Sequence, residues 1–227
     1  MKNLKFVLTI VLSLLIIEIS CAQDWANLKR FQEQNGELDN PSTEENRVVF
    51  MGNSITEGWL RIQPEFFIDK AYINRGIGGQ TTPQMLLRFR QDVISLRPSV
   101  VVILAGINDI AGNTGPSTIE MIADNIYSMA ELARANNITV LLCSVLPAID
   151  FPWRKGLEPA EKVRKLNSLI ESYANKNKII YVDYFSNMAN KSMGLKEALA
   201  SDGVHPNAAG YAIMEPLLES ALVKALK

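Results

Sequence analysis

The run Val100-Val101-Val102-Ile103-Leu104 constrains the fold more than any other stretch of the chain. Five successive apolar residues with no polar alternate do not suit a sheet that is solvated on one side. They imply a strand buried on both faces, and so a parallel sheet covered by helices above and below. Comparable strands are expected at about Arg47 to Met51, Ala71 to Asn74, Ile138 to Cys143 and Ile179 to Asp183. Between them lie a helical or irregular stretch from Ile55 to Asp69 and helices at about Pro83 to Leu96, Thr118 to Asn136 and Glu158 to Asn175. Strands that alternate with helices demand right-handed crossovers. The expected architecture is a five-stranded parallel sheet, doubly wound, in a three-layer α/β/α sandwich. Trp25, Leu28 and Phe31 at helical spacing predict a short amphipathic helix from Asp24 to about Asn40, and further helices are expected near Leu195 to Ala200 and from Asn207 to the end.

The first residues read as an export signal. Lys2 and Lys5 precede an apolar run from Phe6 to Ile17, and Ser20-Cys21-Ala22 supplies small residues at cleavage spacing. The run is shorter than the roughly 20 residues of a stable bilayer span. The expected division is a signal peptide over 1–22 and a single domain over 23–227, placed in the periplasm or secreted. Lipid attachment at Cys21 ranks second, because Glu18 stands where an aliphatic residue is expected. Cleavage after Ala22 leaves Cys143 alone and excludes an intrachain disulfide. A formal net charge of -1 over 227 residues gives no basic footprint for nucleic acid.

The chemistry is expected where strands end, since open α/β sheets bind ligands beyond their carboxyl ends. Val48-Val49-Phe50-Met51 runs into Gly52-Asn53-Ser54, which delivers a small hydroxyl to that rim. A serine there is by itself an ordinary helix cap. The only histidine in the chain, His205, changes the balance. Asp202 lies three residues before it, close enough to orient an imidazole and stabilise its cation. Pro206 restricts the histidine backbone, and Asn207 can cap the last helix. Gly79 and Asn108 sit at the ends of the second and third strands, where a backbone N–H and a side-chain amide suit a developing oxyanion, together with the Ser54 N–H. Taken singly, the glycines are turn residues and Asn108 is a cap.

These residues resemble the blocks of the SGNH hydrolases, also called GDSL-like esterases and lipases. The blocks are G-N-S-I-T at Gly52 to Thr56, G-I-G-G-Q-T-T at Gly76 to Thr82, G-I-N-D at Gly106 to Asp109, and D-G-V-H-P-N at Asp202 to Asn207. The resemblance implies a flavodoxin-like sheet, with Ser54 as nucleophile, His205 as general base and acid, Asp202 as its partner, and an oxyanion hole of Ser54, Gly79 and Asn108. It implies no cofactor. Asn53 departs from the family's usual aspartate. The pattern is most like platelet-activating-factor acetylhydrolase-like members and bacterial carbohydrate acetylesterases.

A metal site is not expected, for one histidine and one mature cysteine leave only scattered carboxylates. The glycine stretch lacks the spacing of a dinucleotide or P-loop fingerprint. Cys143 is expected to be a small core residue. The expected substrate is a small-molecule or glycan ester with a short acyl group, chiefly acetyl. Trp59, Arg61, Phe151, Trp153 and Arg154 are candidates for a carbohydrate-facing rim, with packing and solvation as the other reading. The alternatives are a lysophospholipase or thioesterase, and a carbohydrate-binding protein that has lost catalysis, a reading that Asn53 alone encourages.

Overall fold

The computed structural model describes residues 24–42 and 44–227, so the expected signal segment lies outside the described residues. Five parallel strands form one sheet: β1 (Val48–Gly52), β2 (Tyr72–Gly76), β3 (Val100–Leu104), β4 (Thr139–Cys143) and β5 (Ile180–Val182), in the order β2-β1-β3-β4-β5. Strands β1 and β3 are buried along their whole length, as their unbroken apolar runs require. The edge strands β2 and β5 are partly exposed along most of their length, and β4 is exposed only at its first residue, Thr139.

The helices are α1 (Gln32–Glu37), α2 (Ser54–Ile62), α3 (Thr82–Asp92), α4 (Ile107–Ile110), α5 (Ile119–Ala135), α6 (Ala160–Asn177), α7 (Phe185–Met188) and α8 (Ala208–Ala225). The chain moves outward from β1 to β2 and then back across to β3. With right-handed crossovers this reversal puts α2 and α3 on opposite faces. Helix α5 packs between α3 and α6 on one face. On the other, α8 lies beside α2, and Trp59 stacks on Tyr211 with ring centroids 5.2 Å apart.

The sheet is thus the expected three-layer α/β/α sandwich, and the departures are local. The segment expected as a helix from Asp24 to Asn40 is turns up to Phe31 and helix only over Gln32–Glu37. The Asp24 carboxylate accepts the Lys29 N–H, and Asn27 adopts a left-handed backbone with φ 54°, which interrupts a helix. Side chains of the next layer then fasten the segment. Gln80 Nε2 donates to the Ala26 carbonyl at 2.7 Å, Gln84 Nε2 to Trp25 O at 2.6 Å, and Gln91 Nε2 to Leu28 O. The turn near Leu195 to Ala200 is a 3-10 turn, Glu197–Leu199. Trp59, a candidate for the rim, is a core residue at 2% exposure, stacked between Phe66 and Tyr211, and its indole N–H donates to Glu215. Cys143 is buried at the end of β4, where burial pushes its thiol up to about 12.

The register matters most for the site. Gly52 stands beside Gly76 on one side and Leu104 on the other, so three strands end at one level. The segments that follow them, at Ser54, Gly79 and Asn108, therefore leave the sheet from one rim. This is the switch point of the doubly wound sheet, where the strand order reverses.

Candidate active site

The cap of α2 is Asn53, not Ser54. Asn53 is buried and its Oδ1 accepts the Ile55 N–H at 3.0 Å. Ser54 is the first residue of the helix, and its hydroxyl is released from capping. That hydroxyl meets the only histidine of the chain: Ser54 Oγ lies 2.9 Å from His205 Nε2. On the far side of the ring, His205 Nδ1 lies 2.7 Å from Asp202 Oδ2. An ionised Asp202 accepts the Nδ1–H, and the neutral imidazole then turns an Nε2 lone pair to the serine O–H.

The loop that carries Asp202 and His205 ties itself. Asp202 Oδ1 accepts the Val204 N–H at 2.9 Å and the His205 N–H at 2.8 Å, and Gly203 between them takes φ 76°. Partial burial pushes the Asp202 carboxyl up, but these two N–H groups and the imidazole outweigh it and hold the group below its usual value. Beyond Pro206, Asn207 caps α8 by accepting the Gly210 N–H. One turn on, the Tyr211 hydroxyl donates to the Ile55 carbonyl at 2.7 Å. Helix α8 is in this way fastened to α2, which brings the histidine loop to the serine across 151 residues of sequence. Nothing in the local pattern of the sequence marked Tyr211 for this duty.

The donors at the rim are found by accounting for each N–H of the turn after β2. Ile77 donates to Gly52 O, Gly78 to Glu57 Oε2, Gln80 to Ile77 O, Thr81 to Gln84 Oε1 and Thr82 to Asp109. The Gly79 N–H is the one left without a partner among the described residues. The Ser54 N–H, as the first of its helix, has no acceptor within the helix. Asn108 is buried, and one hydrogen of its amide goes to Gln80 O at 3.0 Å. An amide nitrogen carries a second hydrogen, which remains for another acceptor. The next residue, Asp109, accepts the N–H and hydroxyl of Thr82, the first residue of α3. Its burial nevertheless pushes the carboxyl up to about 6.

A cavity of about 640 Å³ opens beside Ser54 and His205, and Glu57, Arg61, Asp202 and Tyr211 also line it. Of the remaining rim candidates, Phe151 is buried, and Arg154 donates to the Ala111 and Gly112 carbonyls. Trp153 stays half exposed, with its ring 5.8 Å from that of His205. Among the described residues no group of three or more His, Cys, Asp or Glu side chains is arranged to hold a metal ion, and no helix is long and apolar enough to cross a membrane.

The sequence profile of the GDSL-like Lipase/Acylhydrolase family matches residues 50–213, well over half of the chain. The chain belongs to this family. A GDSL-like lipase of Bacteroides thetaiotaomicron has a crystal structure similar to this GDSL-like hydrolase, with 51% identity and a TM-score of 0.87, covering 89% of this chain and all of that one. Esterase TesA of Pseudomonas aeruginosa is 27% identical over 160 residues, 69% of this chain and 73% of TesA. The acetyl xylan esterase AlAXEase shares the fold at 23% identity and a TM-score of 0.64, over 77% of this chain and 98% of its own. The GDSL-like hydrolase is a carboxylic ester hydrolase that acts on small-molecule esters.

Proposed function

We propose that the protein is a serine esterase that removes short acyl groups, chiefly acetyl, from carbohydrates through an acyl-serine intermediate. The observation that carries the reading is the unbroken relay from Ser54 Oγ through His205 to Asp202, at 2.9 and 2.7 Å. Ser54 Oγ attacks the ester carbonyl carbon as its proton passes to His205 Nε2. The Ser54 N–H, the Gly79 N–H and the Asn108 amide receive the charge that gathers on the carbonyl oxygen. The tetrahedral adduct collapses, the sugar oxygen takes the proton from His205, and the alcohol leaves. Water, deprotonated by the same imidazole, then splits the acyl-serine to the free acid and restores the hydroxyl.

The carbohydrate half of the reading is supported by the cavity lining. A long acyl chain calls for an apolar tunnel, whereas this cavity is a shallow recess in which Arg61 offers a donor to hydroxyls between the apolar faces of Ile62, Pro206 and Tyr211. The half-exposed Trp153 ring beside His205 offers a flat apolar face of the kind that packs against a sugar ring. The fold neighbour that acts on acetyl xylan points the same way. Lys2, Lys5 and the apolar run after them support export to where extracellular glycans are met.

Three measurements test the proposal. Wild type is expected to hydrolyse p-nitrophenyl acetate and to be labelled by a fluorophosphonate, and Ser54→Ala is expected to lose both. A Ser54→Ala enzyme with wild-type turnover refutes the assignment. Along a series from acetate to decanoate, kcat/KM is expected to peak at or before butyrate, and a continued rise past it favours a lysophospholipase or thioesterase.

A further inference from the structure

We infer that Glu57 is a positioning residue that locks the turn carrying the Gly79 N–H onto the same helix that carries Ser54. The inference rests on the reading of Gly79 as an oxyanion donor. Residues Ile77 to Gln80 form a β-turn closed by the Gln80 N–H on the Ile77 carbonyl at 3.3 Å. Gly79, third in the turn, takes φ 76°, near the about +80° of a type II turn, and Gly78 is not among the glycines of positive φ. A turn with glycine at both central positions has weak torsional preferences of its own. External anchors therefore decide where its N–H groups aim.

The ends of the turn are held by the Ile77 N–H on the Gly52 carbonyl and by the Gln80 side chain on Arg88 and Ala26, and three further bonds reach its middle and last peptide groups. Asn113 Nδ2 donates to the Gly79 carbonyl at 3.0 Å, Asn108 Nδ2 donates to the Gln80 carbonyl, and Glu57 Oε2 accepts the Gly78 N–H at 2.9 Å. Only the last comes from α2, one turn after Ser54. Glu57 thus ties the turn that holds the waiting donor directly to the helix that holds the attacking oxygen. The approach is close: a Cβ on Gly78 would stand 2.9 Å from Glu57 Oε2 and 3.9 Å from Ser54 Cβ. The bond also occupies the neighbouring N–H and leaves that of Gly79 as the free one. Glu57 is three residues from the serine and four from Arg61, yet it does not pair with Arg61 along the helix. Its other oxygen faces Arg30 at 3.6 Å.

Removing one oxyanion donor outright costs about 10²- to 10³-fold in kcat, so loosening one is expected to cost about 10- to 100-fold. The test uses the full chain, with p-nitrophenyl acetate kinetics and hydrogen exchange of the Gly78 amide by NMR. Glu57→Ala is expected to lower kcat by that factor with KM changed less than about twofold, and to speed exchange at Gly78. Glu57→Gln keeps an acceptor oxygen and is expected to recover most of both. Because the Glu57 side chain is 43% exposed, neither variant removes core packing. Wild-type kcat in Glu57→Ala overturns the inference, and so does a Glu57→Gln enzyme as damaged as Glu57→Ala, which would mean that charge acts and not the hydrogen bond. An inactive wild type sinks the proposed esterase site but not this test. Gly78 protection lost in Glu57→Ala and kept in Glu57→Gln then supports the clamp, and protection unchanged in both removes it.

Discussion

Asn53 shows how much one side chain can settle. By capping α2 itself, it frees the following hydroxyl for the histidine, and it does so with a neutral amide oxygen. The loss of a charge at this position therefore leaves the local hydrogen bonding in place. Asp109 is the opposite case, a carboxyl buried at the base of the site. Its native value of about 6 lies above the ordinary 3.8, so the folded state favours the protonated form. The sign follows from linkage. As pH rises from about 4 to about 6 the unfolded chain ionises first, and stability falls, by up to about 3 kcal/mol. Asp202, held below its usual value, works the other way: its contribution is present above the ordinary carboxylate range and is lost as pH drops through its folded value. Asp109→Asn keeps an acceptor for Thr82 but cannot titrate. Urea unfolding at pH 4.5 and 7 is expected to show the variant gaining on wild type as pH rises. A gap that is constant with pH would place the titration elsewhere.

At the scale of elements, the site depends on how closely α2 lies on the sheet. A Cβ on Gly76 would come 2.2 Å from the Glu57 nitrogen and 2.7 Å from Thr56 C, both of them backbone that cannot step aside alone. Gly76→Ala is expected to cost about 1–3 kcal/mol and to lower esterase activity further than the stability loss explains, because the shift moves Ser54 and Glu57 together. Denaturant unfolding and kcat measured on the same preparation check this. The strands and long helices were legible in the sequence because their signals are local: unbroken apolar runs, the polar and glycine-rich stretches between them, and Asn207 as the cap of the last helix. The serine, aspartate and histidine were legible because a lone histidine beside a carboxylate is a rare arrangement. What was not legible depends on distant partners. Trp59 is core because Phe50, Phe66 and Phe67 surround it and α8 returns over it with Tyr211. The clamp from Glu57 to Gly78 joins two segments whose spacing advertises nothing. The four-residue helices α4 and α7 are too short to show a period.

At the scale of the whole molecule, the stretch from Asp24 to Glu37 works as a clasp across one corner of the sandwich. Phe31 is buried under the Arg75 guanidinium, whose carbon lies 4.6 Å from the ring centroid. Asn35 bridges Arg75 to Asp92, and Asp92 pairs with the fully buried Arg88. Arg88 in turn donates to Gln80 Oε1 at 2.6 Å and to the Gly52 carbonyl at 3.1 Å, so the clasp is continuous with the turns on either side of Ser54. A chain that begins at Pro41 is expected to lose about 3–5 kcal/mol, the cost of a vacated aromatic site, and most of its turnover as well. Calorimetry and p-nitrophenyl acetate hydrolysis on the shortened chain test this, and unchanged values would mark the segment as ornament. The clasp has a practical consequence for anyone who makes the protein. Its start lies against Gln80 and Gln84 and lines one surface recess with Gly78 and Gly79, so a purification handle fused just ahead of Asp24 would crowd the turn that offers the Gly79 N–H. The exposed Lys227 lies beyond the far end of the 18-residue α8 from the histidine loop, and a handle attached there stays clear of the turn.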